Sequence, residues 1–164
     1  MIKDSGERRE FQSGAVRDIQ EGKGSCDLLP LDVVSKWAEN INDSSSLGAI
    51  LHCIYSYKTS YPHNITLIYQ AMNEFCADMS WSMSDALLEV SVHYEEGAKK
   101  YGEYNWQKGI PSHCYLDSGI RHLLKHYRGD TDERHDRAFI WNMLGLVWND
   151  LNKSELNDVC NKEV

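Results

Sequence analysis

The chain has no apolar run approaching the length of a membrane span. A transmembrane helix needs about 20 consecutive apolar residues, so a membrane partner is not expected. Its opening, MIKDSGERREF, is charged and polar and does not read as a secretory signal. A CxxC pair is missing too. The five cysteines stand singly at 26, 53, 76, 114 and 160. That odd, scattered set supports neither a disulfide framework nor a structural zinc knuckle. Basic charge is scarce: 17 Lys and Arg against 25 Asp and Glu give a net charge of −8. Nucleic-acid backbones are neutralised by clustered Lys and Arg, so no nucleic-acid partner is expected. A small nucleotide is not excluded. A few cations, or a metal held by carboxylates, can accept a triphosphate on an acidic protein. The expected setting is the cytoplasm.

Motif fingerprints are equally sparse. GxSxG, HExxH and Rossmann signatures are absent. Ser13-Gly14-Ala15-Val16-Arg17-Asp18, followed by Gly22-Lys23-Gly24, resembles a phosphate-cradling arm but lacks the P-loop spacing. No segment sustains period-two alternation, and there is no internal repeat.

What remains is helical periodicity. At 164 residues and 41% hydrophobic content, one domain with a real core is expected. Residues 1–30 read as an irregular arm, broken by Gly6, Gly14, Gly22 and Gly24 and closed by Pro30. A helical domain over 31–155 and a polar tail over 156–164 follow. Apolar residues at 3.6-residue spacing predict helices from Leu31 to about Ile41, over 46–58 and over 65–79. Ser82 or Ser84 caps the next, which runs to Tyr101 with the stripe Met83, Leu87, Val90, Tyr94, Ala98 and Tyr101. After a loop over 102–111, Ser112 caps a helix ended by Gly129. Asp130 or Asp132 caps the last. The fold class is all-α: a compact bundle of about five to six helices behind an irregular N-terminal arm.

The stretch from His93 to Asn142 is where chemistry is expected; it holds five of the seven histidines. Glu89, His93, Glu96 and Lys100 make one polar stripe, fit either for a divalent ion or for a solvated helix face with a Glu96–Lys100 pair. His122 and His126 stand one turn apart, as metal-ligand partners or as surface residues. Asp117 and Arg121 read as a structural ion pair. His135, Ala138, Asn142, Gly145 and Asn149 line one face of the last helix, open to a ligand or another helix. The loop from Tyr101 to Gly109 offers a base a stacking platform and an amide; alternatively, Trp106 pins that loop to the core.

These same residues carry a family resemblance. Glu89-Val90, Gly97-Ala98-Lys99-Lys100-Tyr101-Gly102, Asn105-Trp106-Gln107-Lys108-Gly109, Arg121-His122, Gly129-Asp130, His135 and Trp141-Asn142 resemble the phage and bacterial dATP/dGTP diphosphohydrolase N-terminal domain family. The arm, including Asp27-Leu28-Leu29-Pro30, is similar to the segment preceding that domain in many members. The resemblance implies a loose kinship with all-α nucleoside triphosphate pyrophosphohydrolases, which hold Mg²⁺ on ExxE and ExxD helix motifs. Here position 92 is Val, and Arg121 and His122 fill the place of the ExxD. The implied activity is cleavage of a purine (deoxy)nucleoside triphosphate between its α- and β-phosphates, with Mg²⁺ or Mn²⁺ as cofactor. Glu89, Glu96, His122 and Asp132 are expected near the metal, although Glu96 is not among the matching family segments, and His122 and His135 are the expected catalytic residues. Arg17, Lys100, Tyr101, Asn105, Trp106, Arg121 and Asn142 are implied in nucleotide binding, and a homo-oligomer is implied as the assembly. The missing ExxE/ExxD set leaves an alternative: a non-catalytic phage protein that sequesters a nucleotide, such as a signalling nucleotide of host defence.

Overall fold

The computed structural model describes residues 6–19, 24–30, 33, 37 and 45–159. Among them are a two-stranded antiparallel hairpin, β1 (Arg8–Glu10) and β2 (Val16–Asp18), and five α-helices. The helices are α1 (Leu47–Thr59), α2 (Ile65–Asp78), α3 (Met83–Tyr101), α4 (Ser112–Arg128) and α5 (His135–Asn152). The all-α bundle read from the sequence is therefore the fold. The helix expected over 31–41 lies outside the described residues, except for Val33 and Trp37, which are helical and exposed. No helix of the described residues is long and apolar enough to cross a membrane.

Local chemistry explains the helix boundaries. Asn64 caps α2 by accepting from Thr66 N at 3.1 Å. Ser82 and Asp85 form a reciprocal capping box at the start of α3, each side chain taking the other's backbone N–H. Gly129 ends α4 at φ +84°, a left-handed conformation that glycine adopts without a side-chain clash. The start of α5 departs from expectation. Its N-cap position is Arg134, without a side-chain cap bond, because Asp130 and Asp132 are bonded instead to Arg128 and His135. Ser112 is likewise the first residue of α4, with Pro111 at the cap.

The core is drawn from every helix. Ile54, Tyr57, Phe75, Leu116, Ile120, Phe139 and Met143 are fully buried. α4 packs most extensively on α5, α1 on α2, and α3 against α5. Glycines permit the α4–α5 approach. A side chain at Gly145 would begin 2.3 Å from the Tyr115 ring, and one at Gly119 would begin 2.4 Å from Met143 Cε. The face His135, Ala138, Asn142, Gly145 and Asn149 is accordingly buried throughout.

The stripe expected on α3 holds only in part: Val90 is buried and Tyr94, Ala98 and Tyr101 are half-buried, but its first two residues face outward. Met83, Leu87 and Leu88 are exposed, and the buried residues are Ala86, Val90 and His93. The inward face is turned toward α5, so a histidine lies inside while leucines lie outside. Part of the arm is ordered too. Phe11 N donates to Ala15 O at 2.9 Å and Gly14, at φ +78°, turns the chain, closing the hairpin. Residues 156–159, expected as the start of a polar tail, pack on the body: Asn157 donates to Tyr57 Oη at 3.1 Å and Val159 is buried.

Candidate functional site

A cavity of about 770 Å³ opens where β2, the second half of α3, the loop after it, α4 and α5 meet. Of the residues expected to serve the site, Arg17, Tyr101, Asn105, Trp106, Arg121, His122 and Asn142 line it. Lys100 is not in the lining; its Nζ lies 5.1 Å from the Tyr101 ring centroid.

Arg17 is the pivot. The hairpin delivers its side chain between Tyr115 and Trp141, with the guanidinium 5.4 and 5.7 Å from their ring centroids. Nη2 donates to Asn142 Oδ1 at 3.0 Å. Asn142 is itself fixed by donating to Ala138 O at 2.7 Å. Nη1 is shut off from water and meets no acceptor among the described residues. Burial pulls the Arg17 pKa down, and Arg9 adds to the effect. Arg9 stands directly opposite Arg17 in the hairpin register and also lines the cavity, with a buried Nε that meets no acceptor among the described residues. Like charges paired across strands are unfavourable, and a buried N–H without a partner costs free energy.

Arg9 is absent from the sequence-level candidates. Its signal lay in the symmetry of the hairpin about Ser13-Gly14, which places positions 9 and 17 opposite one another.

His122, which lines the cavity, meets the buried His135. Their Nδ1 atoms are 3.0 Å apart. Glu133 Oε1 approaches both, at 3.6 and 3.7 Å. Burial, then the neighbouring His135, holds the His122 pKa well below its usual range. His135 Nε2 lies 2.8 Å from Asp132 Oδ1, and this contact is the main cause that lowers the Asp132 carboxyl pKa. Glu133 too is absent from the sequence-level candidates, which place Asp132 at the metal instead.

Other candidates sit elsewhere or do structural work. Glu89 does not share a ligand cluster with His122. Its Oε2 lies 2.6 Å from Arg137 Nη2 and 3.1 Å from Arg134 Nη2. Glu96 belongs to neither cluster of potential metal ligands among the described residues; these are His122, Glu133, His135 and Asp130, Asp132, His135. His126 does not converge with His122, since its ring packs 5.0 Å from Phe75. Arg121 donates to Asp117 Oδ2 at 2.8 Å, Ser118 Oγ at 3.0 Å and Gly24 O at 3.0 Å. Asp117 Oδ1 in turn accepts from Cys26 N at 2.6 Å. The pair thus ties the arm to α4. Asn105 exchanges two 3.0 Å bonds with the Val16 backbone, fixing β2 at the cavity wall. Trp106 packs edge-on against Tyr94 and Trp148, at centroid distances of 5.8 and 5.1 Å.

His93 completes the wall. It stacks at 5.6 Å on Trp141, and burial with the nearby Arg17 and Arg137 charges lowers its pKa to about 4. It is therefore a neutral imidazole at neutral pH.

The search of curated proteins and that of solved structures gave no match. A family profile described as dATP/dGTP diphosphohydrolase, N-terminal, matches residues 69–159. That segment runs from within α2 to the end of the described chain and carries His93, His122, Glu133, His135 and Asn142, though not the arm. The chain belongs to the dATP/dGTP diphosphohydrolase N-terminal domain family.

Proposed function

We propose that the cavity binds a purine (deoxy)nucleoside triphosphate and that the protein is a metal-dependent pyrophosphohydrolase, giving the monophosphate and pyrophosphate. The observation that carries this reading is the Arg9–Arg17 pair: two arginines opposite one another in register, both lining the cavity, each with a buried N–H that meets no acceptor among the described residues. Phosphate oxygens are acceptors that satisfy such donors with charge-assisted bonds. The family membership points to the same ligand class.

In this reading Arg17 and Arg9 hold phosphate oxygens, with Lys125 at the same wall. Asn142 keeps the Arg17 fork in place. Tyr101 and Trp106 offer aromatic surface to the base. A divalent metal, when bound, would polarise a phosphate and lower the pKa of a bound water. His122, Glu133 and His135 would hold it, their donor atoms lying close together and His122 and Glu133 lining the cavity, whereas Glu89 is bound to two arginines and Glu96 lies outside the ligand clusters. A protein acting on a free nucleotide pool belongs in the cytoplasm, that of the host for a phage-encoded chain. Assembly as a homo-oligomer goes with the exposed Met83, Leu87 and Leu88 on α3.

The test is to incubate the purified protein with a nucleotide panel and Mg²⁺ or Mn²⁺, then separate the products by ion exchange. Monophosphate plus pyrophosphate is the expected result. Release of inorganic phosphate alone would overturn it. A second reading, sequestration without turnover, is favoured by the engagement of Glu89 with Arg134 and Arg137, which removes it from any Mg²⁺ site. Tight binding with the nucleotide recovered intact would establish that reading instead.

A further inference from the structure

We infer that His122, Glu133 and His135 form a binding site for one divalent first-row transition metal, such as Mn²⁺, Co²⁺ or Zn²⁺, and that the site discriminates against Mg²⁺. It deepens the nucleotide reading of this cavity, yet metal binding is measurable with no nucleotide present, so the two can fail separately.

The geometry comes first. Donor atoms about 2.1 Å from one ion stand roughly 3.0–3.5 Å from each other. His122 Nδ1, His135 Nδ1 and Glu133 Oε1 make a triangle of 3.0, 3.6 and 3.7 Å. A simple hydrogen bond between two imidazoles accounts for the shortest edge alone. The carboxylate oxygen near both nitrogens completes a three-donor set with the spacing of a shared ion.

The second observation is independent of that triangle. His135 Nε2 lies 2.8 Å from Asp132 Oδ1. A carboxylate only accepts, so Nε2 carries the proton and the neutral ring presents a lone pair at Nδ1, toward His122 and Glu133. A carboxylate that orients a histidine through its second nitrogen is a recurrent support for metal ligation. Asp132 is thus a positioning residue, and the remaining ligand cluster competes poorly: Asp130 is bonded by Arg128 Nε at 2.7 Å, and Lys125 Nζ lies 3.4 Å from Asp132 Oδ2.

Donor chemistry then selects the ion. Two imidazoles and one carboxylate suit Mn²⁺, Co²⁺ or Zn²⁺ and leave coordination positions open, whereas Mg²⁺ favours a shell of oxygens. His122 and Glu133 line the cavity, so the open positions adjoin the space beside Arg17.

The experiment uses the full chain stripped with chelator and titrated with Co²⁺ and with Mn²⁺, without nucleotide, followed by visible absorption and by metal analysis after gel filtration. Expected are one metal per chain, a Co²⁺ spectrum with nitrogen ligation, and retention of Mn²⁺ in a large excess of Mg²⁺. Glu133→Gln and His122→Asn should each weaken Co²⁺ binding about tenfold or more, and Asp132→Asn by roughly 10–100-fold. Glu89→Gln should leave it unchanged. Displacement of Mn²⁺ by comparable Mg²⁺, or wild-type binding in folded Glu133→Gln and His122→Asn, would overturn the site. So would absence of metal binding by the wild-type chain. Metal retention without nucleotide binding would leave the site standing and remove the nucleotide reading.

Discussion

Trp106 shows how one residue in a cavity wall can serve the packing as well as a ligand. Its indole meets Tyr94 and Trp148 edge-on, a geometry that adds to the stability of buried aromatics. Trp106→Ala should therefore lower stability by roughly 3 kcal/mol, the low end for truncating a core tryptophan. Chemical denaturation checks this, and an unchanged midpoint would assign the ring to recognition alone. Asn105 and Arg121 teach the same lesson. Both were readable as polar side chains near a ligand. Their hydrogen bonds to Val16 and Gly24 tie down the arm, a long-range relation with no local signature. Arg17 was legible because it follows a glycine-flanked, arm-like motif. Arg9 was not, since two three-residue strands give too little alternation to reveal which residue faces it.

At the scale of the elements, α1 to α5 were legible because 3.6-residue periodicity and caps coincide, with boundaries off by only a few residues. The face that α3 buries was legible at Val90 but not along the first turns or at His93. Hydropathy marks Met83 and Leu87 as inward and His93 as outward, but the position of α5 decides, and Trp141 receives the His93 ring. The α4–α5 contact makes a sharper claim. Gly145 faces a stiff tyrosine ring, whereas Gly119 faces the mobile end of a methionine. Gly145→Ala should therefore destabilise by about 1–3 kcal/mol despite the better helix propensity of alanine. Gly119→Ala should cost clearly less, as Met143 can turn away. Thermal melts of the two variants check the order; equal losses would mean that the helices do not approach as described.

For the molecule as a whole, acid should loosen the structure through His93. Its folded pKa is about 4, against an ordinary value near 6.5. Between these values the unfolded chain binds a proton that the folded chain refuses, so stability is lost as pH falls from about 6.5 toward 4. The contribution is up to roughly 3 kcal/mol for the wild type. His93→Gln should flatten the slope in that window, as seen in denaturation midpoints at a series of pH values. An unchanged slope would mean that His93 is not held neutral by burial.

The site depends on the whole assembly of parts. A hairpin brings Arg9 and Arg17 to a wall made by three helices, and the phosphate-binding claim rests on that meeting. Titration calorimetry with non-hydrolysable dATP and dGTP analogues tests it most directly, comparing the wild type with Arg9→Met and Arg17→Met, which keep most of the side-chain volume. Each lost charge-assisted contact is worth about 1.5–3 kcal/mol. The prediction is binding by the wild type, about tenfold or more weaker in each variant, with folding retained in thermal melts. No binding by the wild type, or variants that bind as tightly as it does, would contradict the account.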